Sequence, residues 1–128
     1  MSSEEAEILK RRAEAFLRNA ERLIKDKEWD LAMFNLEQFC QLILKYKLLV
    51  KKGSYPRTHS LRTLIRALAQ DNPELSELIE KENNLHYIAR IEEAYITSRY
   101  IPYIFEEKEV KDIYKFVIET FKYYVEKI

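Results

Sequence analysis

The stretch WDLAMFNLEQFCQLILKYKLLV, residues 29–50, carries apolar residues on nearly every side of a helix. A helix that is apolar all round must be covered all round, so the other segments are expected to pack about it. One glycine, three prolines and 34 % charged residues leave little material for turns or strands and much for amphipathic helices. This composition predicts an all-α protein.

The length of 128 residues is enough for one domain with its own core, so residues 1–128 are expected to form a single domain. The lone Cys40 lies in the densest apolar run and is interpreted as a small buried hydrophobe. The first residues are too charged for a signal peptide. The sequence also has no run of about 18 apolar residues, the length that a membrane span needs. We therefore expect a cytoplasmic protein with no membrane partner.

The first two helices are predicted from apolar residues recurring at three- and four-residue steps. Ser2 and Glu5 have the spacing of a capping box at the start of the first helix. Asp26 is placed to cap the second helix, and Gly53 is the only residue able to end it in a left-handed conformation without strain. The short polar link between them predicts an antiparallel pair.

The second half of the chain predicts two or three further helices, four to five in all. Thr58 or Ser60 is placed to cap the third helix, and Asn72 to cap the next, which begins at Pro73. We expect a kink or break at residues 83–84 and an end before Pro102, with a last helix from about Glu107. No stretch alternates like a strand.

Charge is distributed unevenly although the net charge is zero. Residues 38–70 contain no acid and seven bases, whereas residues 71–93 contain seven acids and two bases. The bases are Lys45, Lys47, Lys51, Lys52, Arg57, Arg62 and Arg66. Such a basic surface attracts phosphates of a nucleotide, RNA or an acidic partner, or it is a solvated face balanced by its acidic neighbour.

The sequence lacks the motifs of a metal or cofactor site. His59 and His86 form no pair with each other or with Cys40 at helical spacing, so no metal is predicted. One glycine cannot build a phosphate loop, and no cofactor is expected. His59 is interpreted as a helix-start residue that hydrogen-bonds locally, with phosphate contact as the alternative.

Several tyrosines fit a core stripe, and Tyr95, Tyr114 and Tyr124 are expected to need only burial of their rings. Tyr100 and Tyr103 differ, because they flank Pro102 beside Arg99 in TSRYIPY, where a helix is predicted to end. Arg99 is expected either to bind phosphate through two parallel hydrogen bonds or to cap the negative end of that helix.

The helix containing DLAMFNLEQFCQLILKYKLL, then Gly53, Thr58-His59-Ser60-Leu61 and Ser98-Arg99-Tyr100, resembles the HEPN domain family over almost the whole chain. The resemblance implies an up-and-down antiparallel helical bundle. It also implies a homodimer whose partner is a minimal nucleotidyltransferase in a two-component, toxin–antitoxin-like system.

Many HEPN proteins resemble ribonuclease toxins that use an arginine followed by a histidine after four to six residues. Here Ile104, Phe105 and Glu106 occupy those positions after Arg99. Without that imidazole, cleavage loses its usual general acid–base, typically worth about 10²–10⁴ in rate, unless Glu106 substitutes with a raised pKa.

The resemblance therefore leads us to expect a non-catalytic or weakly catalytic protein that binds nucleotide or RNA, with no catalytic residue assigned. The alternatives are a metal-independent ribonuclease whose arginine–histidine motif departs from the usual pattern, or a purely structural interaction module. The candidate nucleotide- or phosphate-binding residues are Arg99, Tyr100, Tyr103, His59, Arg57, Arg62, Arg66, Lys51 and Lys52.

Overall fold

The structure, a computed structural model, describes the main chain of residues 2–128 and the side chains of residues 3–128. The helices α1 (Ser2–Lys25) and α2 (Trp29–Lys52) form an antiparallel pair. Near one end Leu9 and Leu49 share an apolar cluster, and farther along the rings of Phe16 and Phe34 meet edge to face at 6.3 Å. The predicted pairing of the first two helices is confirmed. The capping box predicted at Ser2 lies outside the described side chains.

The ends of α2 agree only in part with the sequence prediction. Gly53 ends it with φ of 80°, and the Gly53 amide donates to the Leu49 carbonyl, as expected for a left-handed cap. The predicted cap at Asp26 is wrong, because Glu28 occupies the N-cap position and its side chain makes no capping bond. A left-handed Lys27, with φ of 61°, makes the turn between the two helices.

The remaining helices complete the bundle. They are α3 (Leu61–Ala69), a 3₁₀ turn (Pro73–Ser76), α4 (Glu77–Glu80), α5 (Glu82–Thr97), α6 (Glu107–Phe116), a π-helical segment (Val117–Phe121) and α7 (Lys122–Glu126). Ser60 caps α3 by accepting from the Thr63 amide, as predicted. The described residues contain no strand, so the all-α helical bundle is confirmed. No helix among them combines the length and apolarity needed to cross a bilayer.

Two details in the second half correct the sequence prediction. The break that was expected at residues 83–84 falls at Lys81, whose extended backbone separates α4 from α5. Asn72 occupies the predicted N-cap position before Pro73, but its side chain makes no capping bond, because its amide donates to the Leu68 carbonyl at the end of α3.

The core centres on α2, as its all-round apolar pattern predicted. Met33, Leu36, Cys40 and Leu44 are fully buried and pack in the main apolar cluster with residues from every later helix. Burial also raises the pKa of the Cys40 thiol well above its usual value, and the interpretation of Cys40 as a small buried hydrophobe agrees with the structure.

Tyr114 and Tyr124 do more than fill the core, contrary to the sequence interpretation. The Tyr114 hydroxyl donates to Glu21 at 2.5 Å, and the Tyr124 hydroxyl donates to Glu77 at 2.5 Å. Burial, together with the nearby Glu21 carboxylate, raises the pKa of Tyr114 to about 12. These bonds join the C-terminal helices to α1 and α4.

Candidate functional site

Arg99 lies just beyond the end of α5 and is held on several sides. Its Nε donates to the Tyr95 carbonyl at 2.9 Å, so it caps the helix end. Its guanidinium carbon lies 4.3 Å from the Tyr95 ring centroid, 4.6 Å from that of Tyr100 and 5.2 Å from that of Phe34. Cations over aromatic faces are stabilised in this way.

The rest of the Arg99 guanidinium is available to a ligand. The side chain is exposed and forms no salt bridge with any described carboxylate. Capping therefore uses Nε, while the two terminal nitrogens keep the fork that suits phosphate. Both roles expected for Arg99 are compatible in this geometry.

His59 meets the same tyrosine, although it is far from Arg99 in sequence. The His59 and Tyr95 rings stack with their centroids 4.1 Å apart and an angle of 6° between their planes. His59 is exposed and Tyr95 half-buried, so the stack lies at the surface. The structure thus gathers Arg99, His59 and Tyr95, with Tyr100 beside them, into what we call the Arg99 cluster. The interpretation of Tyr95 as a core ring only is wrong.

A buried carboxylate lies near the Arg99 cluster. Glu37 on α2 is fully buried, and its two oxygens accept hydrogen bonds of 2.7 Å from Gln38 and from Gln41. Gln41 in turn accepts a 2.9 Å bond from Lys45. Glu37, Gln41 and Lys45 are four residues apart, so they form one polar line along α2. Sequence reasoning missed Glu37, whose only signal is an acid inside the most apolar run.

The pKa of Glu37 is raised from 4.5 to about 7. Burial is the largest cause, because a charged carboxylate loses hydration inside the protein. Hydrogen bonds from the two glutamines and the positive charges of Arg99 and Lys45 oppose the rise without cancelling it. Burial likewise lowers the pKa of Lys45, against the attraction of Glu37.

Three of the other candidates are engaged in contacts within the fold. Arg62 forms a 3.0 Å salt bridge with Glu92, and Lys52 forms one of 3.5 Å with Asp71. Tyr103 donates from its hydroxyl to Glu109 at 3.3 Å and accepts from Arg90. The acidic segment thus neutralises part of the basic surface, as the solvated-face alternative expected.

The remaining candidates are exposed bases. Lys51, Arg57 and Arg66 are exposed and form no salt bridge within the described residues. Arg57 lines a polar pocket of about 530 Å³ with Lys45 and Tyr55, whose ring lies 5.4 Å from the Lys45 ammonium. Lys51 lies at the end of α2, Arg57 in the loop that contains His59 and Arg66 in α3.

Other residues considered from the sequence lie elsewhere. Glu106, the possible replacement for the missing histidine, is exposed at the N-cap of α6 and forms no described contact with Arg99. Among the described side chains, no group of three His, Cys, Asp or Glu residues is placed to hold a metal ion.

The comparisons with known proteins give one match. A family model described as HEPN domain matches residues 6–128, which include α2, His59 and Arg99. No curated protein matches the chain significantly, and no solved structure does so either.

Glu37→Gln is expected to change the pH dependence of stability. The raised pKa means that the folded state holds this proton above pH 4.5 while the unfolded chain releases it, so stability from this group falls as pH rises from about 4.5 through 7. The loss amounts to roughly 3 kcal/mol above pH 7. Urea unfolding measures the free energy of unfolding, which should fall between pH 5 and pH 8. This fall should be smaller in the variant than in the wild type by roughly 2–3 kcal/mol.

Glu7→Gln is the matched control, because Glu7 is exposed on α1. This control should show the same difference in free energy of unfolding between pH 5 and pH 8 as the wild type. Equal differences for wild type and Glu37→Gln would show that the folded protein does not hold the Glu37 proton.

Proposed function

Because the chain belongs to the HEPN domain family, we propose that it binds the phosphates of RNA or of a nucleotide at the Arg99 cluster. One observation carries the proposal: three aromatic rings hold the guanidinium of the exposed Arg99, and no acid forms a salt bridge with it among the described residues. The exposed Tyr100 ring and the His59–Tyr95 stack offer surfaces for unpaired bases.

Single-stranded RNA fits these features better than duplex RNA. Stacking on aromatic rings requires bases that are not paired, whereas duplex recognition uses shape and the 2′-hydroxyls of the minor groove. The exposed Arg57 and Arg66 supply further positive charge along the acid-free segment. The proposed ligand is therefore a single strand whose backbone passes Arg99 and continues toward Arg57.

Arg99→Ala is expected to weaken binding of a single-stranded oligoribonucleotide by about tenfold or more, since a charge-assisted bond to phosphate is lost. Arg99→Lys should give an intermediate loss, because the charge remains without the planar fork. Fluorescence anisotropy at several salt concentrations should also show a smaller salt slope for Arg99→Ala. Circular dichroism checks that both variants remain folded.

Arg12→Ala is the matched control, an exposed arginine on α1 outside the cluster. It should change affinity by less than about twofold. If Arg99→Ala and Arg12→Ala weaken binding equally, the protein attracts RNA only through diffuse charge.

A second candidate function, a metal-independent ribonuclease, is favoured by the position of His59. The imidazole stacks on the Tyr95 ring, whose centroid also lies 4.3 Å from the Arg99 guanidinium carbon, so a histidine and an arginine share one aromatic neighbour without the usual spacing in sequence. In that role His59 would take the proton of the 2′-hydroxyl as its oxygen bonds to phosphorus, and Arg99 would stabilise the charge developing on phosphate. The bond from phosphorus to the 5′-oxygen would break, which leaves a 2′,3′-cyclic phosphate, and the 5′-oxygen would take a proton from water.

The ribonuclease candidate predicts metal-independent cleavage. Purified protein should cut a single-stranded RNA in the presence of chelator, and His59→Ala should lower the rate by about 10²-fold or more. His86→Ala is the control, because His86 is exposed and packs edge to face on Tyr87. No cleavage at equimolar protein and RNA would rule out this function and leave the binding role.

We also propose that the protein is a homodimer, with the second copy covering exposed apolar side chains beside the Arg99 cluster. Ile104 is 78 % exposed, Ile101 50 % and Leu31 51 %. The Phe105 amide donates to Asp30 at 3.4 Å, which places the loop of residues 98–106 against the start of α2. Membership of the family supports a minimal nucleotidyltransferase as the further partner in a toxin–antitoxin-like pair.

Ile104→Glu is expected to shift the protein from dimer to monomer, because a buried, unpaired carboxylate is costly at an apolar interface. Sedimentation velocity over a range of concentrations measures this. Val50→Glu is the control, since Val50 is 57 % exposed on α2 outside this loop and should leave the dimer intact. A wild-type protein that remains monomeric at high concentration would contradict the dimer.

A further inference from the structure

A groove of about 630 Å³ lies on the side of α2 away from the Arg99 cluster. At roughly 100° per residue, positions 39, 43 and 46 point opposite to positions 34, 37 and 41. Residues of α1 form one wall of the groove, and residues 121–126 form the other. Its volume is within the ~300–1,000 Å³ of small-molecule sites.

The floor of the groove is apolar. Its lining comprises Leu17, Phe39, Ile43, Phe121 and Val125, with the Tyr46 ring beside them. None of the five floor side chains can form a hydrogen bond. A nucleobase there would leave its polar edge unpaired, so the floor favours an alkyl or simple aryl group.

The rim of the groove is predominantly positive. It carries Lys10, Arg18, Lys47 and Lys122, against Glu14 and Glu126. Lys122 is 3.8 Å from Glu126, whereas Lys10 and Arg18 form no salt bridge with any described side chain.

Two of these lysines converge on one ring. The ammonium groups of Lys10 and Lys47 lie 5.8 Å and 5.9 Å from the Tyr46 centroid. Burial lowers the pKa of Lys47, and the positive charges of Lys51 and Lys10 add to this effect while Glu126 opposes it. The Lys47 ammonium also donates to the Ile128 carbonyl at 3.0 Å. An anion beside Lys10 and Lys47 would add a partner for both ammonium groups and lessen their repulsion.

The wall formed by residues 121–126 begins in the π-helical segment Val117–Phe121. Segments of this kind are rare and occur frequently at functional sites. The wall spans less than two helical turns, about 9 Å. That length suits a small ligand better than a partner helix, which needs anchors across two turns or more.

We propose that this groove binds a small organic anion with an apolar body, its chain or ring against Ile43 and the Tyr46 ring and its negative group beside Lys10 and Lys47. Phe39 and Phe121 are buried beneath this surface. This site shares no residue with the Arg99 cluster, so it goes beyond the function proposed above. The ligand chemistry follows from the combination of an apolar floor and a positive rim.

Decanoate, used below its micelle-forming concentration, is the probe, with decylammonium and AMP as comparators. Calorimetry should show one saturable decanoate site per chain and at least about fivefold weaker binding of decylammonium, whose charge is repelled. Amide chemical shifts should move at Lys10, Ile43 and Phe121. AMP should leave those shifts unchanged, since it lacks an apolar body.

Variants locate the site. Lys10→Gln and Lys47→Gln should each weaken decanoate binding about two- to fivefold. Lys51→Gln is the matched control, an exposed lysine one turn from Lys47 and outside the groove, and should have less than a twofold effect. Ile43→Trp should fill the groove and abolish binding. Arg99→Ala should bind decanoate as the wild type does, which separates this test from that of the RNA site.

Four results of the binding tests would overturn the proposal. They are no saturable decanoate binding, equal affinity for decylammonium, equal affinity for AMP, and binding unaffected by all three groove variants. Chemical shifts of the groove that follow protein concentration and not decanoate would instead assign it to a second copy of the chain, and would equally overturn the proposal.

Discussion

The burial of α2 on every side is the constraint on which the rest of the structure depends. Its apolar residues can be removed from water only if α1, α3, α5 and the C-terminal helices surround it, as they do in the main core cluster. One of the buried residues of α2 is acidic. Glu37 is fully buried in the middle of α2, and a carboxylate in that position must be hydrogen-bonded or protonated.

The hydrogen bonds of Glu37 are made within α2 itself. Gln38 and Gln41 reach both carboxylate oxygens, so the Glu37 side of α2 is polar, and Phe34 on that side meets the Arg99 guanidinium. The opposite side is then left to Phe39 and Ile43, which line the groove. A single helix thus supplies one side to a cationic, aromatic surface and the other to an apolar cleft.

Much of this fold is predictable from local sequence. The Gly53 end of α2 and the Ser60 cap of α3 were predicted because each depends on a backbone conformation or hydrogen bond within a few residues. The break at Lys81 was misplaced by two residues, since two asparagines are a stronger loop signal than a lysine with extended backbone. Local signals therefore locate helix ends well only where one residue type is required.

The site was less predictable, because its residues meet through tertiary packing. His59 and Arg99 were both candidates, but no periodicity indicates that Tyr95 joins them. Arg62 and Tyr103 have the residue types of ligand-binding groups, yet Glu92 and Glu109 already contact them. A basic or aromatic residue is available to a ligand only if the fold brings no acid to it, and an acid-free stretch of sequence does not establish that.

The arrangement around Tyr95 shows how a bundle that lacks the usual arginine–histidine spacing in sequence can place both residues next to one aromatic ring. When the two residues lie on one helix end, their separation is determined by sequence distance. Here Arg99 lies just beyond the end of α5 and His59 lies in the loop before α3. The Glu92 carboxylate of α5 fixes the start of α3 by accepting from the Arg62 amide at 3.1 Å. The relative position of imidazole and guanidinium therefore depends on the α3–α5 contact, so Glu92 governs the geometry of the Arg99 cluster without belonging to it.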